Sequence, residues 1–127
     1  MKTAVICDTN IFIEIFRNNT EMEAVLLEIG IDNILVSDVV KAELFFGAKN
    51  KRELNIIKKH LNNFSPLIIN TEISKKALEL VETYCLSQKL NLPDALIAAT
   101  AIFYNTALLT LNTKDFVYIP DIKLYLR

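Results

Sequence analysis

Val5-Ile6-Cys7-Asp8-Thr9-Asn10 is the stretch on which the fold turns. With Ala4 before it, the apolar run is long enough for a buried strand and too short for a helix. It stops on an acid, followed by two polar residues of the kind found where helices begin. The apolarity is continuous, not alternating, which marks a strand covered on both faces and hence a parallel sheet.

The same sign recurs along the chain. Ile34–Val36, Leu67–Ile69 and Ala107–Leu109 read as buried strands, and Lys123–Leu126 as a possible fifth. Between them lie helical patterns at about Ile11–Arg17, Glu21–Ile29, Asp38–Ala48, Arg52–Asn62, Glu72–Gln88 and Pro93–Asn105, the last with its proline in the first turn. Strands alternating with helices through right-handed crossovers predict an α/β protein. Its form is a three-layer α/β/α sandwich with a mostly parallel sheet of four or five strands. In such sheets ligands bind beyond the carboxyl ends of the strands.

Composition agrees. A chain of 127 residues suits one domain over 1–127, and 52% apolar content supports a core. Two glycines and three prolines argue against an all-β protein with many tight turns. Cys7 and Cys85 sit among apolar neighbours and read as reduced core thiols. The single histidine, His60, excludes zinc sites built on two or three imidazoles, so any chemistry rests on carboxylates. Met1-Lys2 leads straight into the first strand without a signal-like segment. The longest apolar region, Ala95–Leu111, is broken by Asn105 and threonines. A soluble, cytoplasmic protein that makes no membrane contact is expected.

Net charge is −1, but it is unevenly spread. Residues 1–40 carry two basic and seven acidic side chains, whereas residues 41–60 carry six basic and two acidic ones. The basic stretch (Lys41, Lys49, Lys51, Arg52, Lys58, Lys59) is either a solvated helix face or a track for a phosphate backbone.

Four acids fall at strand ends or on helices beside them. Asp8 follows the first strand and either caps the next helix or faces a ligand. Glu43 shares a helical face with Val39, Val40, Leu44 and Gly47, an apolar stripe where a lone carboxylate is costly. Asp94 stands in the first turn of Leu92-Pro93-Asp94-Ala95-Leu96-Ile97-Ala98-Ala99-Thr100-Ala101, on the face of Ile97, Ala98 and Ala101. Asp115 lies in Leu109-Thr110-Leu111-Asn112-Thr113-Lys114-Asp115-Phe116, beyond the fourth strand, where it either faces the same edge or caps a turn. Like charges ~4 Å apart repel by about 4 kcal/mol at an effective dielectric near 20. Protonation or a hard divalent cation relieves that, and Mg²⁺ or Mn²⁺ suits an all-oxygen donor set. Metal-assisted phosphoryl chemistry follows as the leading expectation.

Taken together, these segments resemble a PIN-domain protein, and within that group a VapC-type toxin of a type II toxin–antitoxin pair. The likeness spans essentially the whole chain. It rests on Asp8-Thr9-Asn10, the helix Val39-Val40-Lys41-Ala42-Glu43-Leu44-Phe45-Phe46-Gly47, the segment starting Leu92-Pro93-Asp94, and Thr110-Leu111-Asn112-Thr113-Lys114-Asp115. The resemblance implies a Mg²⁺- or Mn²⁺-dependent endoribonuclease in which Asp8, Glu43 and Asp94 match the three core acidic positions. Many relatives carry an aspartate where this chain has Asn112, so Asp115 is assigned as the fourth acid, with Asn112 and Thr110 as polar support. The implied reaction is in-line attack of ion-activated water on RNA. Asp8 and Asp94 hold the principal ion, Glu43 and Asp115 orient water or a second ion, and Thr9 or Asn10 fixes Asp8. Single-stranded or loop RNA is the expected substrate. The resemblance also implies a homodimer and a small antitoxin whose tail covers the site, with no DNA contact by this chain alone. Phe12, Ile15, Phe16, Phe45 and Phe46 serve either the core or an antitoxin groove.

Two rivals share the pattern: a phosphatase or DNA nuclease with the same acids, and a catalytically silent PIN-like module that binds RNA or protein. The presence of Asp8, Glu43 and Asp94 together opposes the silent module, and the missing acid at position 112 favours it. His60 reads as a surface residue, the tyrosines as scattered, and no glycine-rich loop supports nucleotide triphosphate binding.

Overall fold

Val5–Cys7 (β1), Ile34–Ser37 (β2), Ser65–Leu67 (β3) and Ala107–Leu109 (β4) form one parallel sheet in the order β3-β2-β1-β4. β1 lies in the middle, with Val5 opposite both Ile34 and Ala107, and all three of its residues are buried. The structure is a computed structural model that describes residues 3–126. Met1, Lys2 and Arg127, part of the expected 1–127 unit, lie outside the described residues.

The connections explain the layering. Thr9–Phe16 (α1) and Thr20–Ile29 (α2) join β1 to β2, and Asp38–Phe46 (α3) and Lys51–Leu61 (α4) join β2 to β3. Both crossovers step the same way along the sheet. Thr71–Gln88 (α5) and Leu92–Phe103 (α6) then carry the chain back across it to β4. With right-handed crossovers, α1–α4 cover one face and α5–α6 the other. This is the expected α/β/α sandwich, and the direction of winding reverses between β1 and β4. Each described α-helix opens with a side-chain cap: Asp8, Asn19, Ser37, Asn50, Asn70 or Asn91. Each such cap stabilises its helix by about 1 kcal/mol.

Most expected elements stand within a residue or two of their places, and three readings need correction. The third strand is Ser65–Leu67, not Leu67–Ile69, and it is a sheet edge with Ser65 and Pro66 exposed. An edge tolerates a proline, which lacks an N–H to donate, so the apolar Leu67-Ile68-Ile69 triplet misplaces the strand. Residues 123–126 make no full strand; Leu124 forms one parallel bridge to Leu108 beside β4. Cys7 is a core thiol, but Cys85 is exposed. On α5 the buried line runs through Ile73, Ala77 and Leu80, and Cys85, like its 94% exposed neighbour Leu86, falls off that line. Among the described residues no helix is long and apolar enough to cross a membrane.

Candidate active site

The reversal between β1 and β4 places two strand ends side by side, and Asp8 occupies the point where they meet. Its N–H donates to the Leu109 carbonyl at 2.9 Å, extending the β1–β4 pairing to the acid itself. Its Oδ1 accepts the Thr9 N–H at 2.7 Å, and its Oδ2 accepts the Thr110 hydroxyl at 2.8 Å. The carboxylate therefore caps α1 and faces the sheet edge at once. Thr110 Oγ1 in turn accepts the Asn112 N–H at 3.1 Å, and Asn10 Oδ1 accepts the Leu111 N–H at 3.3 Å. Asn10 thus ties the post-β4 loop to α1, and the hydroxyl that fixes Asp8 is that of Thr110. The Thr9 hydroxyl serves another acid.

That acid is Glu43, whose Oε1 accepts from Thr9 Oγ1 at 2.6 Å. Glu43 is not on the buried face that its spacing suggested; it is exposed. The buried line of α3 runs through Val40 and Leu44, with Val39 at its margin, and Glu43 projects from the flank beside α1. Asp94 is half-buried in the first turn of α6, below the cap Asn91, whose Oδ1 accepts the Asp94 N–H at 3.1 Å. Ile97, Ala98 and Ala101 on the same helix are fully buried, so the helix lies close on the sheet, as its small side chains predict. Asp115 ends a short 3-10 turn after β4 and is exposed; its backbone N–H, not its carboxylate, closes the turn on the Asn112 carbonyl.

These four acids act on one another. Burial pushes Asp8 up, the Thr110 and Thr9 hydrogen bonds pull it back, and Glu43 and Asp115 push it up again. Burial and then Asp8, Asp115 and Glu43 push Asp94 up to about 6. The Cys7 thiol is pushed up to about 12 by burial and by the Asp8 charge, so it stays protonated and inert. Among the described residues the ion pairs are Arg17–Glu14 and Lys76–Glu79, and neither offsets this cluster. None of the four acids of this edge is in an ion pair among the described residues.

The family model described as PIN domain matches residues 5–121. Ribonuclease VapC of Rickettsia bellii (strain RML369-C) is 32% identical over 94% of this chain and 92% of its own length. The chain belongs to the PIN domain family, among the VapC proteins. A toxin–antitoxin complex from Klebsiella pneumoniae contains a chain 33% identical to this PIN domain, with a TM-score of 0.79 over 94% of this chain and 95% of that one. VapBC2 of Rickettsia felis, solved bound to a DNA fragment from its promoter, matches at 24% identity with a TM-score of 0.83, covering 97% and 98%, and shares the fold.

The donor chemistry of the PIN domain's edge fits a hard divalent cation: carboxylate oxygens, supporting hydroxyls and no sulfur or imidazole. As the side chains stand, no three His, Cys, Asp or Glu residues among those described converge closely enough to share one ion.

Glu43 also faces a groove. The groove, of about 560 Å³, runs between α1, α3 and α4 and is lined by Ile13, Phe16, Leu44, Ile56, Ile57 and Glu43. Phe12 is fully buried core, whereas Phe16 is half-buried and packs against His60 with ring centroids 5.6 Å apart. Lys51, Arg52, Lys58 and Lys59 stand exposed on α4, free of ion pairs among the described residues. Tyr118, which the scattered spacing of the tyrosines concealed, lies outside the lining of this groove. Its phenol is pushed up by burial and by the charges of Asp94 and Asp115, and its ring meets that of Tyr84 on α5. Its position three residues after Asp115 is the signal that points to it.

Proposed function

We propose that this PIN domain is a Mg²⁺- or Mn²⁺-dependent endoribonuclease that hydrolyses RNA phosphodiester bonds as the toxin of a toxin–antitoxin pair. The observation that carries the reading is Asp8: a buried carboxylate at the strand-order reversal, pressed by neighbouring acids and in no ion pair among the described residues. The name and coverage of the Rickettsia bellii relative support the same activity.

Asp8 and Asp94 would hold the principal ion, with Asp115 and Glu43 in support and Asn112 adding an uncharged oxygen. A bound divalent ion supplies a water of lowered pKa and charge stabilisation for the leaving oxygen. The chain's own groups do the positioning. Thr110 and the Thr9 N–H fix both oxygens of Asp8. Thr9 occupies Oε1 of Glu43, which leaves Oε2 to orient the attacking water and accept its proton. The lysines of α4 balance the acid edge and draw in the polyanion.

The groove that Glu43 helps line supports an apolar antitoxin segment lying across α1, α3 and α4. A second, apolar cleft lined by Val39, Ala42, Leu92 and Leu96 supports pairing with another copy of this chain. Light scattering at micromolar concentration tests the dimer, and a clean monomer rejects it.

The activity is tested with labelled single-stranded RNA, single-stranded DNA and a small phosphate ester, each with Mn²⁺ and with chelator. RNA cleavage that needs the ion and is absent in Asp8→Asn and Asp94→Asn is expected. Cleavage by either variant at the wild-type rate rejects the assignment. Preference for DNA or the ester favours a different hydrolase, and no ion-induced thermal stabilisation favours a silent binding module.

A further inference from the structure

We infer that Asn10 is a positioning residue of this centre: its side chain holds the loop after β4 against α1, and with that loop the oxygens that Asn112 and Asp115 offer beside Asp8. The assignment rests on the metal-dependent ribonuclease reading and gives a role to a residue that carries no charge.

Packing does not hold this loop. Thr110 and Phe116 are buried, but residues 111–115 between them are all exposed. Hydrogen bonds hold it instead. The Leu111 N–H donates to Asn10 Oδ1 at 3.3 Å, the Asn112 N–H to Thr110 Oγ1 at 3.1 Å, and the Asp115 N–H to the Asn112 carbonyl at 3.0 Å. Among the described residues, only the first of these bonds ties residues 111–115 to a part of the chain outside 110–117. It is also the last of three successive ties between the two strand ends. The Leu109 carbonyl accepts the Asp8 N–H, Thr110 donates to the Asp8 carboxylate, and Leu111 donates to Asn10. Without the third tie the loop is free to swing about Thr110, and Asn112 and Asp115 swing with it.

Asn10 spends its side chain on this contact and not on its own helix. Asparagine near a helix start commonly bonds the backbone beside it. Here Asp8 already caps α1, accepting the Thr9 N–H at 2.7 Å, so the Asn10 amide oxygen is left to reach across 101 positions of sequence. The next two residues, Ile11 and Phe12, are fully buried, which fixes the point from which Asn10 reaches. Asp115 also raises the carboxyls of both Asp8 and Asp94, in keeping with a loop held over their edge.

The test combines amide hydrogen exchange with Mn²⁺ calorimetry on the whole chain. In Asn10→Ala the Leu111 amide should exchange at least about tenfold faster than in wild type, whereas Asn10→Asp, which keeps the acceptor oxygen, should leave it slow. Asn10→Ala should weaken Mn²⁺ binding about tenfold, the scale for losing a group that orients ion ligands. In chelator it should melt close to wild type, because alanine is the better helix former. The deciding measurement is a double-mutant cycle. Asn10→Ala should weaken Mn²⁺ binding less than about twofold when Asp115→Asn is already present, since the loop then has no carboxylate to misplace. A loss of equal size in both backgrounds overturns the inference, because a merely structural role predicts that result. Unchanged Mn²⁺ binding by Asn10→Ala, or unchanged Leu111 exchange, overturns it as well. A wild-type chain that binds no Mn²⁺ overturns the metal-dependent reading and this inference with it, a result distinct from a failure at Asn10 alone.

Discussion

The Thr110 hydroxyl donates to Oδ2 of Asp8 at 2.8 Å across 102 positions of sequence. One uncharged side chain on the last strand end thereby sets the orientation of the acid on the first. Thr110→Val keeps the shape and removes the donor, leaving a buried carboxylate oxygen unsatisfied. Urea denaturation should show a loss of about 2 kcal/mol, and Thr110→Ser should restore most of it. A valine variant as stable as wild type would mean that the hydroxyl contributes nothing to holding Asp8.

Asp94 sets the sign of a pH effect. Its carboxyl is held at about 6 in the fold, against roughly 3.9 when unfolded. The folded state therefore binds the proton more readily. Its contribution is fully present below about pH 4, fades as pH climbs to about 6, and is absent above that. The difference in Tm between Asp94→Asn and wild type, measured in chelator, should rise across this window in favour of the variant. The gain is modest because Asp94 is only half-buried. A difference that stays flat or falls contradicts the raised carboxyl.

Divalent cations should reverse that deficit. Mn²⁺ bound only by the folded chain raises Tm, and it must displace the proton on Asp94. The rise should be larger at pH 7.5 than at pH 5.5 and should vanish in Asp8→Asn. Isothermal calorimetry in two buffers of different ionisation heat would count the protons released.

Thr9 and Glu43 form a separable pair. Because Glu43 is exposed, Thr9→Val should change unfolding free energy by less than ~1 kcal/mol, while RNA cleavage falls about five- to tenfold as the carboxylate loses its fixed rotamer. Parallel denaturation and kinetics distinguish this from general weakening.

The two thiols should behave differently. Exposed Cys85 reacts with a colorimetric disulfide reagent in the native protein, and Cys7, pushed up to about 12, waits for unfolding. One equivalent before denaturant and a second after it is the expected titration.

Much of this was legible in the chain because parallel strands and helix caps are local. Val5-Ile6-Cys7 announces a strand buried on both faces, and the acid after it marks the ligand edge. Asp94 was placed by the small residues of its helix. Glu43 shows where spacing misleads: Val39 and Gly47 widen the apparent stripe, but the helix settles on Val40 and Leu44, and the acid swings to the flank. Pro66 hid β3 because its strand is an edge, a property of the whole sheet. Tyr118 and the double use of Thr9 and Thr110 depend on chain segments that meet only in three dimensions.

The β1–β4 junction also has a bearing on synthesis. β1 can pair with β2 as soon as residues 34–37 emerge, but the Asp8 N–H and one oxygen of its carboxylate wait for Leu109 and Thr110. Translation supplies these late, and a domain folds as a unit. The candidate site is therefore completed by the last fifth of the chain. A product that ends before residue 107 lacks the carbonyl that holds the Asp8 N–H and the hydroxyl that holds its Oδ2, so an interrupted synthesis yields no finished acidic edge.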